Sequence, residues 1–217
     1  MTALQQQVRP RVQAAVESPA RVARWGLALV AVFGVLGVVQ INVPYFPLSH
    51  LMDLDFEWVP PALYSAALDA SAGLGYLALA RQGAVPKAGA FLAALFGLMS
   101  LDEWFGLHER LEQWTGIDWQ KLYAPVVLVA GIGALMVLRA WGRRHSEASL
   151  LLVGGGALWF FAQVLEYLQW RGPHHTKVLH YNWYMVPEEL MEMSGSLLFL
   201  LSALVVLKRV REGRVTA

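Results

Sequence analysis

RWGLALVAVFGVLGVVQINV, residues 24–43, is an apolar run whose single charge, Arg24, stands at its start. A hydrocarbon core about 30 Å thick takes roughly 20 helical residues to cross, so this stretch reads as one membrane-spanning helix. Five further segments of similar character follow at 59–80, 88–105, 123–141, 148–170 and 186–207. Hydrophobic residues make up 57% of the 217 and charged residues only 15%, which is too apolar for a water-soluble domain of this length. The expectation is an all-α, polytopic membrane protein: a bundle of six transmembrane helices over 24–207, with a basic arm at 1–23 and a basic tail at 208–217.

The first apolar segment is preceded by a polar leader and followed by no small-x-small cleavage site, so it reads as a retained anchor rather than a signal peptide. Arg9, Arg11, Arg21 and Arg24 in and beside that leader fit an anionic membrane face. Thirteen of the seventeen Lys and Arg fall in the arm, the 81–87 and 139–147 loops and the tail. Only Arg110, Lys121, Arg171 and Lys177 lie on the other side. The positive-inside rule then places both termini in the cytoplasm, in a bacterial inner membrane.

The acids sort the other way. All but Glu17, Glu147 and Glu212 of the sixteen lie in outer loops or within helices, as do all histidines except His145. Trp58, Trp104, Trp114, Trp119, Trp170 and Trp183 form an aromatic belt at the outer boundary, and Trp25 and Trp141 mark the inner one. With no cysteine, disulfides, thiolate ligands and cysteine nucleophiles are excluded.

SLDEWFGLHERLEQW, residues 100–114, ends the third segment in Asp102, Glu103, His108, Glu109 and Glu112. Glu166 lies one turn before the end of the fifth segment, and the sixth opens with VPEELMEMSG at 186–195. These groups share one depth. At about 100° per residue, a helix continued through 102–112 puts Asp102 and Glu109 on one side, His108 and Glu112 beside Glu109, and Glu103 pointing away. Glu188, Glu189 and Glu192 share a face, and Asp69 falls near mid-membrane, where a carboxylate must face the bundle interior. Imidazole beside carboxylates suits Zn, Fe or Mn. The expected divalent metal ligands are Asp102, His108, Glu109, Glu112, Glu188 and Glu189, with Glu192 and Glu166 as catalytic carboxylates.

Plainer roles are open for several of these. Pro187 followed by two acids is what a helix start needs, and Asp69, beside Ser65, Ser71 and Gly73, can hydrogen-bond across helices. HERLE at 108–112 departs from HExxH, because Glu112 stands where the second histidine would be. No Glu-x-x-His pair appears. His50, Asp53, Asp55 and Glu57, and the loop histidines His174, His175 and His180, read as interfacial groups or a lid over the cluster. Gly89, Ala93 and Gly97 read as close helix packing, GGG at 154–156 lies inside a helix, and nothing implies nucleic acid.

LDEWFGLHERL and PEELMEMSGSLLFL resemble paired motifs, LDE…LHE and EExxE, of small uncharacterised six-helix bacterial membrane proteins. That resemblance implies no chemistry. A looser one is to the alkaline ceramidase-like (CREST) membrane hydrolases. It implies an intramembrane zinc site, onto which Asp102 within LDE maps. The second segment has Ser65 and Ser71 but no histidine, and the last has no histidine pair.

Three functions follow as expectations. The first is a metal-dependent hydrolase acting on a lipid-like substrate among membrane lipids, with a carboxylate such as Glu192 as base. The second is a cation or proton transporter relaying charge through Asp69 and Glu166, although the inner halves of the helices hold no acid. The third is a noncatalytic subunit or assembly factor.

Overall fold

The computed structural model describes residues 13–43, 51, 53, 54, 56, 58–171 and 177–213. His50, Asp55, Glu57, His174 and His175 lie outside them. Among the described residues there is no strand. Seven helices of nine or more residues stand among the described residues: α1 Pro19–Asn42, α2 Pro60–Arg81, α3 Pro86–Phe105, α4 Leu107–Thr115, α5 Trp119–Trp141, α6 Ser146–Gln169 and α7 Asn182–Arg211. A 3-10 turn, Gly142–His145, joins α5 to α6.

Local chemistry sets most of the ends. Proline occupies the first turn of α1, α2 and α3, where its missing N–H costs nothing. Gly106, at φ 55 and ψ 47, separates α3 from α4, a left-handed conformation that a Cβ disfavours. The Asp118 side chain caps α5 by accepting from the Gln120 N–H at 2.9 Å.

Six of these helices coincide with the six apolar segments; α4 is extra, because Gly106 breaks the helix that was expected to run on through 112. The start of α7 also differs. Its first turn is Asn182–Met185, so Pro187 lies inside the helix and Glu188 and Glu189 sit in its second turn rather than at its N-terminus. Hydrogen bonds from the Trp183 and Tyr184 N–H groups to the carbonyls of His180 and Tyr181 carry the helix back into the aromatic run.

Four stretches are long and apolar enough to cross a membrane: Pro19–Asn42, Pro86–Phe105, Trp119–Gln169 and Asn182–Arg211. The third contains both α5 and α6. α2 is not among them, since Asp69, Ser65 and Ser71 dilute its apolar run. α7 is the central helix: 78% of its apolar stretch is buried, against 11% for Trp119–Gln169. The exterior is apolar, with Leu27, Val127, Leu128, Leu150 and Phe160 all exposed.

α6 and α7 pack antiparallel with their backbones nearly touching. A Cβ on Gly155 would stand 2.9 Å from the Gly195 carbonyl oxygen, and one on Gly195 3.0 Å from the Gly155 carbonyl oxygen. The α2–α3 seam is similar, with Gly73 against the Ala93 carbonyl and Gly89 against that of Tyr76. Gly97 has open space beside it instead. A backbone oxygen cannot step aside as a side chain can, so Gly195→Ala is expected to destabilise the protein by roughly 1–3 kcal/mol. Thermal unfolding in detergent would show it, and an unchanged midpoint would mean that the helices separate freely.

Candidate carboxylate site

Two polar groups occupy one end of the bundle. The first sits at the α3–α4 break. Asp102 accepts from the His108 backbone N–H at 2.8 Å, from its imidazole Nδ1 at 3.1 Å and from the Tyr123 hydroxyl at 3.1 Å. The left-handed Gly106 turns the chain so that His108 returns to Asp102, a contact that straight-helix spacing does not give. The Trp119 ring packs on the imidazole at 4.9 Å. Glu109 and Glu112 are exposed on α4, and Glu112 accepts from the Trp119 backbone N–H at 3.2 Å.

Burial works against the imidazolium of His108. The hydrogen bond and charge of Asp102, reinforced by Glu166 and Glu109, outweigh it and raise its pKa from 6.5 to about 9. A histidine raised in this way stabilises the fold fully below its free value and loses that contribution as pH climbs through about 9. The unfolding midpoint is therefore expected to fall between roughly pH 6.5 and 9, and more steeply than in His108→Gln. Parallel slopes in the two proteins would refute the pairing.

The second group is deeper and runs along α7 as a set of cross-helix rungs to α6. Gln169 donates to Glu188 at 2.6 Å, Gln163 donates to Glu192 at 3.0 Å, and the Trp159 indole donates to Ser196 at 3.2 Å. Gln120 on α5 donates in turn to the Gln163 backbone and side chain. The charges that weigh most on Glu192 are four other acids: Glu188, Glu103, Glu166 and Asp69. Asp69 is 1% exposed and has Ser196 beside it, yet its Oδ1 has no hydrogen-bond partner among the described residues. Glu166 links the two groups. It accepts from the Trp119 indole at 2.8 Å, and its charge acts both on His108 and on Glu192.

The fold thus splits the expected residues. Asp102, His108, Glu109 and Glu112 belong to the α3–α4 group, while Glu166, Glu188 and Glu192 line the deeper one, with Glu189 half-buried nearby on α7. Glu103, expected to point away, is half-buried, and its charge acts on Glu192. Among the described residues no three His, Asp or Glu stand close enough together to hold one metal ion. Both oxygens of Asp102 are committed to His108 and Tyr123, and amides occupy Glu188 and Glu192. This donor set does not fit the Zn, Fe or Mn site expected from the sequence. The glutamines that hold the carboxylates were missed; their sequence signal is a pair of polar residues, 163 and 169, flanking Glu166 in the last two turns of α6.

Below Asp69, polar atoms continue through the core. The Tyr76 hydroxyl and Ser202 Oγ lie 2.6 Å apart, and Trp141 stacks on Tyr76 at 6.3 Å and meets His145 at 6.2 Å. Trp141 Nε1, His145 Nδ1 and Ser149 Oγ are buried with no hydrogen-bond partner among the described residues. At the far end, Arg209 pairs with Glu147 at 2.9 Å and donates to the Arg144 carbonyl.

Fold and site together describe an all-helical protein with membrane-length apolar helices around a buried carboxylate cluster. The chain belongs to the family described as a domain of unknown function, DUF8692, whose model matches residues 25–207. No curated protein and no solved structure matches it, so the likeness to alkaline ceramidase-like hydrolases is not supported.

Proposed function

We propose that the protein is a cation or proton transporter: a six-span bundle of the bacterial inner membrane, both termini cytoplasmic, that takes up positive charge at its outer carboxylate cluster. Asp69 is the deepest station. The observation that carries this reading is Asp69, 1% exposed with its Oδ1 lacking a hydrogen-bond partner among the described residues. In the same core Glu188 and Glu192 are held by the Gln169 and Gln163 amides, and the charges of Glu103, Glu166 and Asp69 also act on Glu192. Carboxylates gathered in low dielectric repel one another and need protons or a cation to offset them. The orientation rests on the thirteen basic residues of the arm, two loops and tail.

The other two expectations have less support. A metal-dependent hydrolase that uses His108 as a ligand loses support because the imidazole Nδ1 is engaged by Asp102 at 3.1 Å. A noncatalytic subunit would not call for a buried acid such as Asp69, whose Oδ1 has no hydrogen-bond partner among the described residues. The lack of acids in the inner half, which counted against transport, is offset by Tyr76, Ser202, Trp141, His145 and Ser149, which carry polar atoms inward from Asp69.

The test is purified protein in liposomes holding a pH-sensitive dye, with parallel assays for Na⁺ and Ca²⁺. Wild type is expected to dissipate an imposed gradient of one of these ions, and Asp69→Asn to slow this at least about tenfold, the equivalent of 1.4 kcal/mol. Wild type that moves none of the three faster than empty liposomes would overturn the proposal.

A further inference from the structure

At the other end of α1 a groove opens between α1, α2 and α7. It encloses about 440 Å³, and its walls include Ala15, Val22, Leu29, Leu68 and Leu197, with Arg21 also lining it. That volume is typical of a small-molecule site. Its lining is almost wholly apolar. One polar group on the wall, the Tyr64 hydroxyl, is already committed to the Gly26 carbonyl at 3.0 Å.

Length and charge say what fits. From Ser18 to Leu29, both in the lining, the chain climbs about 16 Å at 1.5 Å per residue. Half of a hydrocarbon core is about 15 Å, so the groove spans one leaflet. Arg21, exposed at the groove, lies near the start of α1, where no acid stands in the first turn. It falls on the side that carries thirteen of the seventeen basic residues, the side facing anionic headgroups. Trp25, 70% exposed and also lining the groove, suits the interface between headgroups and tails.

We infer that this groove is a binding site for one anionic phospholipid of the inner leaflet, its acyl chain lying along Val22, Leu29, Leu68 and Leu197 and its phosphate paired with Arg21. The site is separate from the carboxylate cluster and stands whether or not the protein transports ions. Its inner wall nevertheless comes close to that cluster, since Leu68 and Leu197 directly adjoin Asp69 and Ser196 in the chain.

The test is native mass spectrometry of detergent-solubilised protein titrated with phosphatidylglycerol or phosphatidylcholine. Wild type is expected to retain one phosphatidylglycerol at least about tenfold more tightly than phosphatidylcholine. Arg21→Gln, a change at an exposed position, should abolish that preference. Leu29→Trp, which fills the groove and leaves Arg21 in place, should weaken both lipids. Equal retention of the two lipids by wild type, or retention unaffected by either substitution, would mean nonspecific annular lipid and overturn the site. Displacement of phosphatidylglycerol by millimolar inorganic phosphate would overturn it too, because the headgroup alone would then account for binding.

Discussion

Glu192→Gln is expected to make the protein more stable and less active at once. Glutamine keeps the shape of glutamate and can still meet the Gln163 amide that now donates to Glu192 Oε1 at 3.0 Å. What it removes is the repulsion that an ionised Glu192 meets from four other acids, Glu188, Glu103, Glu166 and Asp69. Relieving that repulsion should raise the unfolding midpoint, the usual signature of groups kept for function at a cost in stability. Ion flux should fall by at least about tenfold, or 1.4 kcal/mol in the barrier. Liposome flux and thermal unfolding on the same preparation check both halves. A lower midpoint with unchanged flux would show Glu192 to be a structural acid.

The largest loss of stability is expected from Trp141→Ala. Trp141 is 2% exposed, its ring nearly parallel to that of Tyr76 at an interplanar angle of 13°, and Tyr76 in turn stacks on Phe96. Deleting a buried tryptophan typically costs about 3–5 kcal/mol. The damage should concentrate in α5, because Gly133, Val137 and Trp141 are its buried residues and Trp141 is the largest of them. Hydrogen exchange should quicken along α5 before it does along α7. Uniform exchange across all helices would show that α5 is not separately held.

Much of the fold could be read from the chain, because its chief determinants are local. The apolar segments fell within a few residues of α1, α2, α3, α5, α6 and α7, and Pro19, Pro60 and Pro86 mark three of the starts. Apolar length overstates what α2 offers a bilayer, where one buried acid and two serines count against it. The site was less legible, since it rests on two features that hydropathy does not report. Gly106 looks like any glycine in an apolar run until its left-handed φ turns α4 back, which brings His108 to Asp102. The pairing of Gln163 and Gln169 with Glu192 and Glu188 is a contact between helices, fixed by the approach of Gly155 to Gly195, and no spacing within either segment encodes it.

The rungs between α6 and α7 also bear on biogenesis. Released singly into lipid, α6 would carry Gln163, Glu166 and Gln169 with it, and α7 would carry Glu188, Glu189 and Glu192. A charge at the centre of a helix costs about 2.5–3.5 kcal/mol on the insertion scale, and these acids, nearer the helix ends, cost less each but add together. Joined as a hairpin, α6 satisfies Glu188 and Glu192 of α7 with the Gln169 and Gln163 amides before the pair meets the acyl chains. The insertion machinery therefore has reason to hold α6 until α7 emerges from the ribosome and to release the pair together.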